Sequence, residues 1–246
     1  MKEQVITKKI LNWYDLNKRL LPWRINVSSE KKQYFTLVSE FMLQQTQVAT
    51  VIPYFYKFIK KIPNIESLAK VQNKKLLKLW EGLGYYSRAK NLKKTSQIIL
   101  KNNNGKIPDN EEELILLPGI GNYTASAILA IAFNKPFIPL DGNIERVLKR
   151  YLFLKKENEI QKEYLQDKKT IFGISKRSSD YAQALMELGA LICKSKNPLC
   201  NKCPISKNCQ SFKKKNFELT KKIKRNKNKY FVIKVLKKNT KYLLVK

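Results

Sequence analysis

The chain has 246 residues, enough for one large core or two smaller ones. Fifty Lys and Arg against nineteen Asp and Glu give a formal charge of +31, which points to a polyanionic partner because a cation beside a phosphate releases a condensed counterion. Histidine is absent, which excludes Ser-His and Cys-His hydrolase schemes and leaves acid–base work to carboxylates, tyrosine, lysine or water.

Richness in Lys, Asn and Ile is also what AT-biased coding produces, so the sign of the charge carries more information than its size. Residues 213–246 hold fourteen Lys or Arg against the single acid Glu218, a net +13 in the tail alone. The N-terminus has no apolar h-region and no long apolar run follows, so neither a signal peptide nor a membrane span is expected.

Residues 3–21 are predicted as a helix, with Ile6, Ile10, Trp13, Leu16 and Leu20 at helical spacing. Leu21-Pro22-Trp23-Arg24 breaks it, and residues 25–32 read as polar loop. Residues 34–52 read as one strong helix, apolar round most of its circumference and therefore buried, although it carries Glu40, Gln44, Gln45 and Gln47. Pro53 closes it or bends the chain. Short helices over 67–69 and 73–80 lead through Gly82-Leu83-Gly84-Tyr85-Tyr86 to a helix over 87–100.

Two helical runs, ending and starting at 111–117 and 123–133, flank Leu117-Pro118-Gly119-Ile120-Gly121. That is a helix-hairpin-helix pattern. Pro118 fixes one φ, while Gly119 and Gly121 permit backbone angles and close approaches that a Cβ forbids. The second helix then starts with unpaired N–H groups, a site for one phosphate; the bland alternative is a tight interhelical turn. Further helices are expected over 142–154, 158–172 and 178–192, and a cysteine loop over 193–209. No period-2 run precedes Tyr230, so the body is all-α. Residues 231–236 and 241–245 read as a β-hairpin across 238–240, the start of a missing second domain behind a basic linker over 213–229.

Three constellations carry chemistry. Cys193, Cys200, Cys203 and Cys209 lie within seventeen residues, which favours a metal centre over disulfides. One Cys-x2-Cys knuckle flanked by single cysteines fits a cubane iron–sulfur cluster better than a zinc ribbon, which uses two knuckles. Asp141 is an N-cap for a helix starting at Gly142, and a carboxylate there stays ionised, which suits stabilising a cationic transition state. Its capping-box partner would be Ile144, so reciprocal capping is excluded. Glu40, with Leu37 and Leu43 on the same apolar helix, should have its pKa raised, as a general acid requires; the alternative is a surface glutamate beside Gln47. Two carboxylates of opposed pKa, a phosphate site and a basic surface suggest cleavage of a glycosidic bond in DNA, with the base extruded. Gln44, Gln45, Leu83, Tyr85 and Tyr86 are candidates to fill the hole it leaves.

The Leu117–Gly121 hairpin with Asp141 downstream, and the Cys-x6-Cys-x2-Cys-x5-Cys loop, resemble the helix-hairpin-helix DNA glycosylase superfamily that includes endonuclease III. Within it, Leu21-Pro22-Trp23-Arg24, the stretch from Ser39 to Val48 and Gly82-Leu83-Gly84-Tyr85-Tyr86-Ser87-Arg88 are similar to the MutY-type adenine DNA glycosylases. The likeness runs from about Trp13 to Cys209.

The resemblance implies an all-α, two-domain fold: a six-helix domain over 27–135 carrying the hairpin, a second helical domain over 1–26 and 136–212 with the cluster loop, and 213–246 as basic linker and truncated start of a Nudix-like domain. It implies that Glu40 protonates a flipped adenine paired with 8-oxoguanine or guanine, and that Asp141 stabilises the oxocarbenium ion, supported by Asn143, Tyr123 and Glu187. Arg19, Trp23 and Arg24 would line the adenine pocket, Gln45, Leu83 and Tyr85 would probe the strand opposite, and Gln44 would count among the substrate-binding residues. Leu117, Gly119 and Gly121 would hold the backbone, and the four cysteines one [4Fe-4S] cluster. Endonuclease III-like enzymes carry a Schiff-base lysine at position 123; a tyrosine there implies a monofunctional enzyme. The rivals are an endonuclease III-like pyrimidine-lesion glycosylase/lyase and a non-catalytic iron–sulfur DNA-binding protein. The implied protein is a cytoplasmic, nucleoid-associated monomer acting on double-stranded DNA.

Overall fold

Apolar residues at helical spacing collapse into two hydrophobic clusters, and most loops serve to turn helices between them. The computed structural model describes residues 2–154 and 175–217, together with the strands Leu236–Lys238 and Lys241–Leu243. The helix expected over 158–172 and most of the strand expected over 231–236 lie outside the described residues.

Helix α1 (Lys2–Asn17) is shorter than expected and packs Ile10, Leu11 and Tyr14 into the second cluster. Leu16 and Leu20, read as part of its apolar stripe, are instead 86% and 93% exposed. Leu20 lies past the helix end, and Leu16 falls outside the buried face set by Ile10 and Tyr14.

The helix expected over 34–52 is two helices. Ser28, inside the stretch read as loop, caps α2 (Ser29–Leu43) by accepting from Lys31 N at 3.5 Å. The chain turns through Gln44 to Gln47, with Gln45 at φ 56°, and restarts as α3 (Val48–Lys61). Pro53 neither closes nor ends a helix: it sits in the second turn of α3, which continues because Val51, Phe55 and Phe58 all reach the core. Helices α4 (Ile65–Lys70), α5 (Asn73–Trp80) and α6 (Ser87–Asn102) follow the expected order.

The hairpin forms between α7 (Glu111–Ile115) and α8 (Asn122–Phe133). Gly119 has φ 82°, and a Cβ there would lie 2.8 Å from the Phe41 ring and 3.0 Å from Asn91 Cβ. Gly121 differs from expectation: its φ is −100°, and nothing lies within 4 Å of where a Cβ would stand. Only Gly119 is required by internal sterics. Gly121 leaves open space over the start of α8.

Helix α9 (Gly142–Leu152) and α10 (Ser178–Glu187), which runs on as a π-helical turn over Leu188–Ile192, build the second cluster with α1. The cysteine loop ends in a short α11 (Gln210–Lys213). Strands β1 (Leu236–Lys238) and β2 (Lys241–Leu243) pair antiparallel with Lys238 opposite Lys241, so Lys238 belongs to the strand and not to the turn. The first cluster takes Leu37 and Phe41 of α2, Phe55 and Phe58 of α3, Trp80, and Ile128 and Leu129 of α8. Helix α8 is buried all round, packing on α2 on one side and α10 on another, which sets the two clusters side by side.

These contacts predict unequal glycines. Gly119→Ala forces a left-handed alanine, about 1–2 kcal/mol, in addition to the overlap with Phe41. Gly121→Ala changes stability by less than about 0.5 kcal/mol, as open surface sites do. Urea melts of the two variants check this, and equal losses would contradict it.

Candidate active site

A cavity of about 690 Å3 opens between the clusters. Glu40 enters it from α2, Tyr123 from α8, Asp141 and Asn143 from the start of α9, Glu187 from the end of α10, and Arg19, Trp23 and Arg24 from the segment after α1. Sequence reasoning named all eight.

Glu40 is 6% exposed, and its Oε2 has no hydrogen-bond partner. Burial disfavours the carboxylate and pushes the pKa from the ordinary 4.5 up to about 7; a hydrogen bond with Tyr123 opposes that rise, the Asp141 charge adds to it and Arg24 opposes it. Burial likewise raises the Tyr123 phenol, with the Glu40 and Asp141 charges adding to the effect, so Tyr123 remains the donor of their shared bond.

Asp141 is held from three directions. Oδ1 accepts from Asn143 N at 3.0 Å and Ile144 N at 2.7 Å, and Oδ2 accepts from Asn143 Nδ2 at 2.9 Å. It is an N-cap whose capping bonds fix both oxygens at the cavity wall. Asn143 is fixed in turn by two residues that sequence reasoning missed. Arg146 Nη2 donates to Asn143 Oδ1 at 2.9 Å and to Gly189 O at 2.8 Å, and its Nε donates to Cys193 O at 2.8 Å. A Cβ at Gly189 would stand 2.6 Å from Asn143 Cβ, so only glycine lets the π-helical turn pass. The spacing of Asn143 and Arg146, three apart on one helix, was the available signal for Arg146. Gly189 had none, because its neighbour is forty-six positions away.

Glu187 is fully buried between two cations. Arg19 Nε and Nη2 each donate at 2.8 Å to Oε2 and Oε1, and Arg24 Nη1 donates to Oε1 at 2.9 Å. Burial alone would raise its pKa; the hydrogen bond from Arg19 and the charges of Arg24 and Arg19 outweigh it and hold the carboxyl below its ordinary value. Trp23 packs edge-on to Phe55, centroids 5.3 Å apart.

The other expected residues lie outside the cavity. Gln45 is exposed on the α2–α3 turn, and Gln44 Nε2 donates to Gly119 O at 3.1 Å. Tyr85 is 62% exposed. Leu83, expected to reach the duplex, is packed in the first cluster, because Gly82 and Gly84 turn the chain with φ 101° and 70° and tuck the residue between them inward. Leu117, expected to offer its backbone, donates its N–H to Leu114 O at 3.1 Å and buries its side chain, so it braces the hairpin from inside.

Cys193, Cys200, Cys203 and Cys209 line one small pocket with Arg150, Ile192, Phe212 and Phe217. Among the described residues no three His, Cys, Asp or Glu side chains close round a single ion. Four thiols lining one pocket form the donor set that the corner irons of a cubane take. Burial pushes the Cys203 thiol up to about 12, as a thiol without a cation beside it in an apolar pocket would be. The residues fit the cluster.

The chain belongs to the HhH-GPD superfamily of base excision DNA repair proteins, whose family model it matches over residues 38–169. It is 46% identical over 211 residues to the adenine DNA glycosylase of Buchnera aphidicola subsp. Baizongia pistaciae, covering 85% of this chain and 58% of that protein. It is 42% identical over 238 residues to the adenine DNA glycosylase of Buchnera aphidicola subsp. Schizaphis graminum, covering 93% and 67%. A thermostable thymine-DNA glycosylase matches its fold with a TM-score of 0.76 at 28% identity, covering 87% of this chain and 97% of that one. Within the superfamily the chain belongs to the adenine DNA glycosylase family. It spans 58% and 67% of the length of the two bacterial relatives.

The Glu40 environment has a pH signature. Its folded pKa lies above the ordinary value, so between 4.5 and about 7 the native state holds more protons than the unfolded chain and stability falls as pH rises. Relative to Glu40→Gln, the protein is expected to lose about 3 kcal/mol between about pH 4 and pH 8, at about 1.4 kcal/mol per unit. Urea melts of both at each pH measure the difference; a flat difference would place Glu40 in water.

Proposed function

We propose that the protein hydrolyses the N-glycosidic bond of adenine mispaired with 8-oxoguanine or guanine in double-stranded DNA. One observation carries this reading: an acid whose pKa burial raises to about 7 and a carboxylate held by three hydrogen bonds share one cavity. Glu40 donates its proton to the extruded base, so the electron pair of the breaking C–N bond leaves with a neutral adenine. Asp141 faces the sugar, where positive charge develops, and its fixed oxygens need no reorganisation as it does. Water then adds to the sugar. Tyr123 has no amine with which to form a Schiff base, which supports base removal without strand cleavage. The Arg19–Glu187–Arg24 group offers both donors and an acceptor to the edge of adenine, with Trp23 beside it.

On this reading the clusters mark two domains, 27–135 and 1–26 with 136–212, with Leu21 and Trp23 of the second crossing to pack in the first cluster, and the DNA lies across the mouth of the cavity. The turn through Gly119 and Gly121 receives a backbone phosphate at the open start of α8. Gln45 and Tyr85 enter the duplex. Cys193, Cys200, Cys203 and Cys209 hold one [4Fe-4S] cluster, which when bound cross-links the loop into one rigid unit. The protein acts as a monomer at the nucleoid.

Single-turnover assays on a duplex with one adenine opposite 8-oxoguanine test this. Glu40→Gln and Asp141→Asn each slow adenine release by about 10²–10⁴-fold with binding largely intact, as loss of a positioned acid or charge stabiliser does. Wild-type release falls as pH rises through about 7, where Glu40 ionises. Unchanged release by either variant overturns the mechanism, and an adduct trapped by borohydride through a lysine would favour the lyase. Gly121→Ala, which puts a methyl group in the open space, weakens binding of duplex more than it weakens the fold.

A further inference from the structure

The two loops assigned to the duplex come from the ends of different helices, yet one side chain holds both. Arg88, in the first turn of α6, is buried. Its Nη1 donates to the carbonyls of Phe41 at 3.2 Å, Met42 at 2.7 Å and Gln44 at 2.6 Å, which a helix end leaves without N–H partners. Its Nη2 donates to Leu83 O at 2.9 Å and Gly84 O at 3.2 Å. The guanidinium also lies 5.5 Å from the ring centroid of Trp80 and 5.6 Å from that of Tyr85. Nε has no partner, and among the described residues no ion pair involves Arg88. Its charge is therefore dispersed over five carbonyl dipoles and two rings, and its side-chain hydrogen bonds go to the last turn of α2 with the turn that follows it, or to the Leu83–Gly84 turn.

The residues presented by these loops have unusual backbones. Gln45 has φ 56° and Tyr85 φ 46°, in the left-handed region that L side chains rarely adopt. Each directly follows a residue whose carbonyl Arg88 grips, Gln44 in one case and Gly84 in the other. Trp80 Nε1 adds a second bond to Gly84 O at 3.2 Å, and Gln44 ties the first loop to the hairpin through Gly119 O. A lysine cannot repeat this, because its three donors diverge from one point and do not span two loops in a plane.

Resting on the glycosylase reading above, we propose that Arg88 is a positioning residue that makes the Gln45 and Tyr85 loops one rigid wedge. Unstacking of the duplex at the lesion depends on it. Bond breaking between Glu40 and Asp141 does not involve it directly, since Arg88 does not line that cavity.

A duplex with the fluorescent base 2-aminopurine beside 8-oxoguanine, in the strand opposite the target adenine, reports the unstacking. At saturating wild-type protein the fluorescence rises and adenine is released in a single turnover. Arg88→Lys and Arg88→Gln, folded by circular dichroism and melting, are expected to bind this duplex but lose most of the rise. Their adenine release falls by about 10²-fold, the cost of a small misplacement of reacting groups. Tyr85→Ala, which leaves every hydrogen bond of Arg88 in place, loses the same rise. A full rise with a folded Arg88 variant overturns the proposal, as does a wild type that produces none. If neither Arg88 variant folds, the residue serves folding and the proposal also falls. A wild type that unstacks the duplex without releasing adenine would sink the glycosylase reading while leaving the wedge standing.

Discussion

The desolvation of one carboxyl group organises this molecule. Glu40 lies where the two hydrophobic clusters meet, on a helix whose neighbouring positions are all buried. Water is excluded from it by α8, which packs between α2 and α10, and the remaining polar contact is the hydroxyl of Tyr123 at the start of that same helix. A carboxyl group that still holds its proton up to about pH 7 is therefore a property of the packing of three helices. Moving any of them to admit water would return Glu40 to an ordinary carboxylate, whatever the other residues of the cavity did.

Asp141, by contrast, is positioned by local means. Its oxygens are saturated by two amides and a side-chain amide within three residues, so its position needs only the start of α9. What α9 itself needs is longer in range: Arg146 joins Asn143 to the carbonyls of Gly189 and Cys193, so the wall of the cavity and the cysteine loop form one continuous hydrogen-bonded body. Arg150, a turn further along, repeats the pattern by donating to Lys194 O and Ser195 O. Arg146 and Arg150 of α9 thus serve the backbone of the cysteine loop, and the buried cation Arg88 serves the backbone at the end of α2 and in the turn before α6.

Much of the site was legible in the linear chain because its residues are of types that have few other reasons to occur together. Glu40 on an apolar helix, Asp141 before a glycine, four clustered cysteines and the Leu117–Gly121 turn all mark themselves by conflict with their surroundings or by spacing. The misreadings share one cause. Continuous apolar pattern hid the break after Leu43, because Gln44 to Gln47 keep helical propensity while Gln45 adopts a left-handed φ that Arg88 stabilises from forty-three residues away. Leu16 and Leu20 have the right period, yet the helix ends at Asn17 and its buried face was taken by Ile10 and Tyr14. Leu83 was taken for a residue that reaches outward, but the glycines on either side turn it inward.

By itself the sequence determined the helical class, the hairpin turn, the four clustered cysteines and the pair of acids, since each depends on residue type and on neighbours a few positions away. Only the tertiary structure decided that the two acids meet in one cavity, that Glu187 is buried between Arg19 and Arg24, and that Gly121 is open where Gly119 is crowded. Those outcomes depend on which surfaces exclude water from which groups. Desolvation and close approach are set by residues far apart in the chain, and no local pattern encodes them.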